Sequence, residues 1–171
     1  MMDCHRIFNI ARDIRAKYNT SDPFELCGCM GVHLRYVDLG SLKGLYKYIK
    51  KNYFIVINSS LNEHMARIVC CHELCHHILH RDIARNQGIW DSMLYDMSAG
   101  VEQEANLLCA ELLIDDDDML SETMEGKTAA QVAAALDADE SLVMLKAVSM
   151  AERGYRINGS FSVPSDYLKK L

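Results

Sequence analysis

From Leu61 to His80 the chain runs without glycine or proline, and inside that stretch His72-Glu73-Leu74-Cys75-His76 sets two imidazoles four positions apart with a glutamate directly after the first. Apolar residues recur at Met65, Ile68, Val69, Ile78 and Leu79, and Ser60 with Glu63 makes a capping box, so the spacing predicts one helix. Residues at i and i+4 sit one above the other on a helix face, and Glu73 lies about 100° round from His72. Two neutral imidazoles so placed can grip one Zn²⁺ with bonds of roughly 2.0 to 2.1 Å, while the glutamate reaches a water on the metal. A chain with seven histidines would show this H-E-x-x-H pattern by accident on the order of 2% of the time. The pattern points to metal-assisted hydrolysis.

A catalytic zinc takes three protein ligands and keeps a position for water, so the helix is incomplete alone. Downstream, Val101 to Ile114 is strongly helical, with apolar residues at Val101, Ala105, Leu108, Cys109, Leu112 and Leu113. It carries two carboxylates near its start, Glu102 and Glu104, which lie about 200° apart on the helical wheel, so only one can face the metal. His80 extends the row of His72 and His76, but a fourth protein ligand would displace the water. A supporting role behind a ligand, or at the helix end, suits it better. His80, Arg81 and Tyr95 are also candidates to hydrogen-bond a tetrahedral intermediate, and the sequence does not choose among them. His77 points elsewhere, and His5, His33 and His64 show no pairing signal.

Composition narrows the class. The chain has 171 residues, half of them hydrophobic and a quarter charged, which fits one compact enzyme domain. A net charge of −6 argues against direct nucleic-acid binding. No apolar run approaches the roughly 20 residues of a membrane span, so a soluble protein is expected. Seven cysteines, an odd number, and no signal peptide predict reduced thiols. Cys27-Gly28-Cys29 has only one intervening residue and no zinc-ribbon spacing exists, so most of these thiols are packing residues. Cys75, beside a ligand, is the one position where an oxidation-sensitive thiol would matter.

For organisation, residues 2–18 form an amphipathic helix, and Asp22 caps a short helix that starts at Pro23 and ends near Gly31. Val32 to Val37 alternates as a strand. Gly44 to Lys50 and Tyr53 to Asn58 read as a hairpin turning at Lys51-Asn52. Tyr53 to Asn58 leads into the metal helix and is either the sheet edge on which an extended substrate would lie or an interior strand. Residues 81–100 join the two metal-bearing helices, either as a loop over the cleft or as a helix packed by Trp90. Asp115 to Asp118 is an acidic helix start. Thr128 to Leu136 and Asp139 to Gly154 have a helix-turn-helix outline with few basic residues, read as packing or partner-binding. The fold class is thus α+β: a small mixed or antiparallel sheet of about three strands against the H-E-x-x-H helix, with a mainly helical C-terminal half. One domain spans 1–171, divided into 1–58 (helices and sheet), 59–114 (metal-binding helices), 115–157 (helix-turn-helix-like part) and 158–171 (tail).

The paired motifs resemble the ImmA/IrrE family of zinc metallo-endopeptidases, whose H-E-L-x-H-x-x-L-H helix matches His72 to His80 and whose later E-x-E-A-N-x-x-A-x-x-L-L helix matches Glu102 to Leu113. Asp22-Pro23-Phe24-Glu25, Asp38-Leu39-Gly40, Leu42-Lys43-Gly44 and Ile55-Val56-Ile57-Asn58 are similar to that family's N-terminal half. Where the family often has proline after Leu-Leu-Ile, this chain has Asp115. The resemblance implies a zincin-like fold, with His72 and His76 as metal ligands, Glu73 as general base, and Glu104, the glutamate before Ala-Asn, as third ligand with Glu102 its rival. It further implies a cytoplasmic bacterial zinc endopeptidase that acts as an anti-repressor of a mobile element or stress regulon by cutting a helix-turn-helix repressor. The same ligands would hold Mn²⁺, Co²⁺ or Fe²⁺. The alternative is a non-catalytic, zinc-containing repressor-binding or antitoxin-like protein.

Overall fold

The structure, a computed structural model, describes residues 3–87 and 99–157. Helix α1 (Cys4–Tyr18) and helix α2 (Pro23–Met30) lead into strand β1 (Val32–Val37), strand β2 (Gly44–Ile49) and strand β3 (Asn52–Asn58). Helices α3 (Glu63–Leu79), α4 (Arg81–Gln87), α5 (Ala99–Leu113), α6 (Asp116–Met124), α7 (Ala129–Ala135) and α8 (Glu140–Glu152) follow. This is a mixed α+β arrangement, mostly helical, with one three-stranded sheet.

Local chemistry sets most of these boundaries. Asp22 accepts from the backbone N–H groups of Phe24 and Glu25, Pro23 opens α2, and Gly31 closes it in the left-handed region at φ 71°. Thr128 and Gln131 form a reciprocal capping box at α7, and Asp115 caps α6 through the Asp117 N–H.

Two boundary expectations need correction. The cap of α3 is Asn62, which accepts from Met65 N at 2.8 Å. Ser60 is unavailable because its N–H and hydroxyl both donate to Asn58 Oδ1, at 3.0 and 2.9 Å. The hairpin turns one residue earlier than expected, on Lys50 (φ 47°) and Lys51 (φ 66°), with Ile49 opposite Asn52. Two consecutive left-handed residues define the two-residue turn whose twist matches paired strands.

The sheet order is β1-β3-β2, with β1 parallel and β2 antiparallel to β3. Tyr53 to Asn58 is therefore interior, buried between two partners, and among the described residues β2 and β1 are the edges. Buried Asn58 ends the central strand, and its Nδ2 donates to Gly40 O (2.9 Å) and Leu42 O (2.8 Å). That clamp ties the loop before β2 to the start of α3.

Helix α3 lies between the sheet and α5, burying Ala66, Cys70, Leu74 and Cys75. Six of the seven cysteines are buried and all are unbridged, in keeping with their use as small packing residues. Helix α5 packs against α1, α3 and α8, so it is covered on several sides. Helix α8 is buried along Leu142, Val143 and Leu145 to Met150, so it packs into the core along most of its length. Behind α5 sits a buried charge network. Lys146 Nζ meets Glu111 Oε2 at 2.6 Å and Asp116 Oδ1 at 2.5 Å, and Arg153 grips Asp116 with two nitrogens at 2.6 and 2.9 Å. From α1, Arg15 Nη2 donates to the carbonyls of Glu111 (2.7 Å) and Leu112 (3.1 Å), capping the end of α5.

Candidate metal centre

Helix α3 presents His72 and His76 on one face, with Nε2 to Nε2 3.1 Å apart. Helix α5 crosses that face and brings in Glu102, whose two carboxylate oxygens lie 3.3 Å from His72 Nε2 and 3.3 Å from His76 Nε2. The three donor groups lie within 4.8 Å of one another. Bonds of 2.0 to 2.1 Å in a tetrahedron separate neighbouring donors by roughly 3.3 Å. The spacing of His72, His76 and Glu102 therefore suits three corners of a small tetrahedral cation.

Glu104 does not join them. Its carboxylate pairs with Arg6 of α1 and lies 3.3 Å from His80 Nε2. The expectation of Glu104 beside the histidine pair is thus corrected to Glu102, and the cause is how α5 is packed. Glu102 turns to the histidine pair, and Asn106 and Cys109 line the cleft, whereas Glu104 pairs with Arg6 of α1 and Glu111 with Lys146 of α8. Asn106 supports the same face of α5. It stands four residues after Glu102, hence on the same face, and it hydrogen-bonds His72.

Burial shapes the electrostatics. Glu73 is 4% exposed, its Oε2 has no hydrogen-bond partner among the described residues, and burial pushes its carboxyl up to about 7. Burial acts upward on Glu102 too, but the His72 and His76 imidazoles, 3.3 Å from its oxygens, outweigh it and hold that carboxyl far below the usual range. Its Oε1 also lacks a hydrogen-bond partner among the described residues. Burial lowers His76; for His72 it acts the same way but is overcome by Glu102 and Glu73, so that imidazole is raised. A half-buried carboxylate set against two converging imidazoles is the chemistry of a cation site.

The other expected residues fall elsewhere. His80 stands behind His76, its Nδ1 3.2 Å from His76 Nδ1. Arg81 turns away to His77 Nε2 at 2.8 Å and the Tyr53 ring, on the sheet side of α3. His77 itself is locked by Tyr46, whose hydroxyl is 2.8 Å from its Nδ1. His64 has a partner the sequence did not signal, Asp137 at 2.8 Å. Tyr95 and Trp90 lie outside the described residues.

A cavity of about 430 Å³ opens beside the cluster, lined by His72 and Glu73, by Leu42 in the loop before β2, by Gly44 at the start of β2, by Val69, and by Leu142 of α8. Sequence reasoning missed Gly44. A Cβ there would stand 2.4 Å from Val69 Cγ1, 3.2 Å from Val56 O and 3.5 Å from Glu73 Cγ, so only glycine lets the edge strand come this close to the helix.

Comparison with known proteins gives the family. The IrrE N-terminal-like domain, a peptidase family, matches residues 27–144. An uncharacterized immunity region protein 2 of Bacillus phage phi105 is 39% identical over 101 residues, covering 58% of this chain and 63% of that protein. The metallopeptidase ImmA of Bacillus subtilis (strain 168) is 29% identical over 122 residues, 68% of this chain and 69% of that protein. No helix among the described residues is long and apolar enough to cross a membrane. With the family match extending over most of the chain and both motifs inside it, the chain belongs to the IrrE N-terminal-like family of ImmA/IrrE metallopeptidases.

Proposed function

We propose that this protein is a zinc-dependent endopeptidase that cuts a helix-turn-helix repressor at one peptide bond, with His72, His76 and Glu102 holding the metal and Glu73 as general base. The observation that carries the reading is the buried, unpartnered Glu73 oxygen beside the convergent His72, His76 and Glu102 donors, at the wall of a cleft bordered by an edge strand. A zinc ion bound there supplies Lewis-acid polarisation of the amide carbonyl and activates water near neutral pH.

The residues supply the rest. A general base works best with a pKa near the working pH, and burial has moved Glu73 to that range. Its free oxygen takes the proton from the attacking water and then delivers it to the leaving amine. Among the described residues β2 is a sheet edge whose one strand partner is β3, so an extended peptide would bind along it by strand addition and be fixed before its bond is cut. An edge strand selects an unfolded or loop segment, such as a linker between repressor domains. The relatives' names, an immunity region protein and ImmA, support a repressor of a mobile element as the substrate.

The test is Glu73→Gln against wild type, on a helix-turn-helix repressor encoded beside the gene. The variant should keep one zinc per chain and lose cleavage by 10²-fold or more. Equal cleavage would remove Glu73 as the base. Repressor binding without cleavage by the zinc-loaded wild type would favour the non-catalytic, repressor-binding alternative.

A further inference from the structure

Behind the metal face runs a second line of polar groups that the reaction does not use directly. His76 is 1% exposed, and its Nδ1 lies 3.2 Å from Nδ1 of His80, which is 7% exposed. On the far side of His80, Nε2 lies 3.3 Å from Glu104 Oε2, and the other oxygen of Glu104 is held by Arg6. The carboxylate is acceptor-only, so the His80 proton must sit on Nε2 to donate to it. That leaves His80 Nδ1 as a lone pair, which can only accept the proton carried by His76 Nδ1. The His76 proton is then committed to the rear, and His76 Nε2 faces His72 and Glu102 as a bare lone pair.

We propose that Glu104 is a positioning residue that acts through His80 to fix His76 in the tautomer and ring orientation that direct its Nε2 lone pair to the metal, with Arg6 of α1 anchoring the far end. This inference rests on the metal-site reading above. It gives Glu104 a role as the end of a two-step relay instead of as a ligand. It also extends the centre to α1, since Arg6 precedes the 27–144 stretch that matches the family. Groups that orient a metal-bound histidine in this way are typically worth 10- to 100-fold in metal affinity.

The test titrates metal-free protein with zinc against a chromophoric chelator, for wild type, His80→Leu, Glu104→Leu and the double variant, with the melting temperature of each metal-free protein recorded. A relay acts as a unit. Each single change should therefore weaken zinc binding about tenfold or more, the double variant should be no weaker than the worse single, and metal-free melting should stay within a few degrees. His80→Gln, whose side-chain oxygen can still accept from His76 Nδ1, should recover most of the affinity, which a purely space-filling role for His80 does not predict. If a leucine variant does not fold, Glu104→Gln read in the same titration decides, with about a tenfold loss expected. Affinities within threefold of wild type, or a double loss equal to the product of the singles, would overturn the relay and leave the metal site standing. Wild-type protein that binds no zinc would overturn both.

Discussion

Gly44→Ala tests whether the cleft depends on the close approach of β2 to α3. The added methyl would sit 2.4 Å from Val69 Cγ1, where carbon atoms settle at about 3.5 to 4.0 Å, so roughly 1 Å of separation must be found. Val69 cannot swing aside cheaply, because a β-branched side chain on a helix is held to one χ1 rotamer. The backbone oxygen of Val56 at 3.2 Å blocks retreat towards the sheet. The edge strand must therefore lift from the helix beside Glu73. Overpacking of this kind costs about 1 to 3 kcal/mol, which lowers Tm by roughly 2 to 12 °C in a protein of this size and leaves it folded. Activity should suffer more, since a displacement of about 1 Å between substrate and catalytic group can cost 10²-fold. The assay is kcat/KM for repressor cleavage at saturating zinc, with zinc content confirmed. Gly44→Ala combined with Val69→Ala removes the obstructing methyl and should regain most of the lost activity while staying less stable. Wild-type kcat/KM in Gly44→Ala, or an undiminished loss in the double variant, would refute the argument.

Lys146→Met strands buried Glu111, with only Arg153 left at 3.6 Å, and should destabilise the protein by about 3 kcal/mol in urea unfolding. Lys146→Met with Glu111→Met should recover most of that, because an apolar pair replaces an ion pair at little cost; a double variant weaker than the single would contradict this. Burial acts upward on Asp116, but hydrogen bonds from Arg153 and Lys146 hold it at about 2, below its ordinary 3.8. Its contribution of about 2 kcal/mol is therefore present above pH ~4 and lost as pH falls through ~2, so Asp116→Asn should flatten the acid limb of the stability curve between those values. Removing zinc by exhaustive chelation should abolish cleavage and lower Tm, and stoichiometric zinc should restore both; activity that survives verified removal would exclude a catalytic metal.

The sequence made helix starts legible where a short side chain can satisfy backbone N–H groups locally, as in the cap at Asp22 and the helices opening near Asp115 and Thr128. It also placed His72, Glu73 and His76, because one helix fixes their relation. It was ambiguous wherever the answer depended on what lies across a contact. Glu102 and Glu104 could not be told apart because α5 is packed on three sides and its apolar residues mark no single face. Strand order has no local code either, so which strand of the hairpin forms the edge emerged only from the parallel pairing of β1 with β3. Ser60 lost its capping role to a competitor, Asn58, that binds it first.

The clamp on α5 bears on where this protein can be cut for study. The similarity ends at residue 144 and begins at 27, yet Arg15, which satisfies the last carbonyls of α5, lies before it, and Lys146 and Arg153, which neutralise Glu111 and Asp116, lie after it. A fragment trimmed to the matched span would carry His72, His76 and Glu102 and still leave carbonyls and a buried carboxylate without these partners on the very helix that presents Glu102. The matched span is thus narrower than the set of contacts that closes around α5, and a fragment for study has to include all of α1 and α8 together with Arg153.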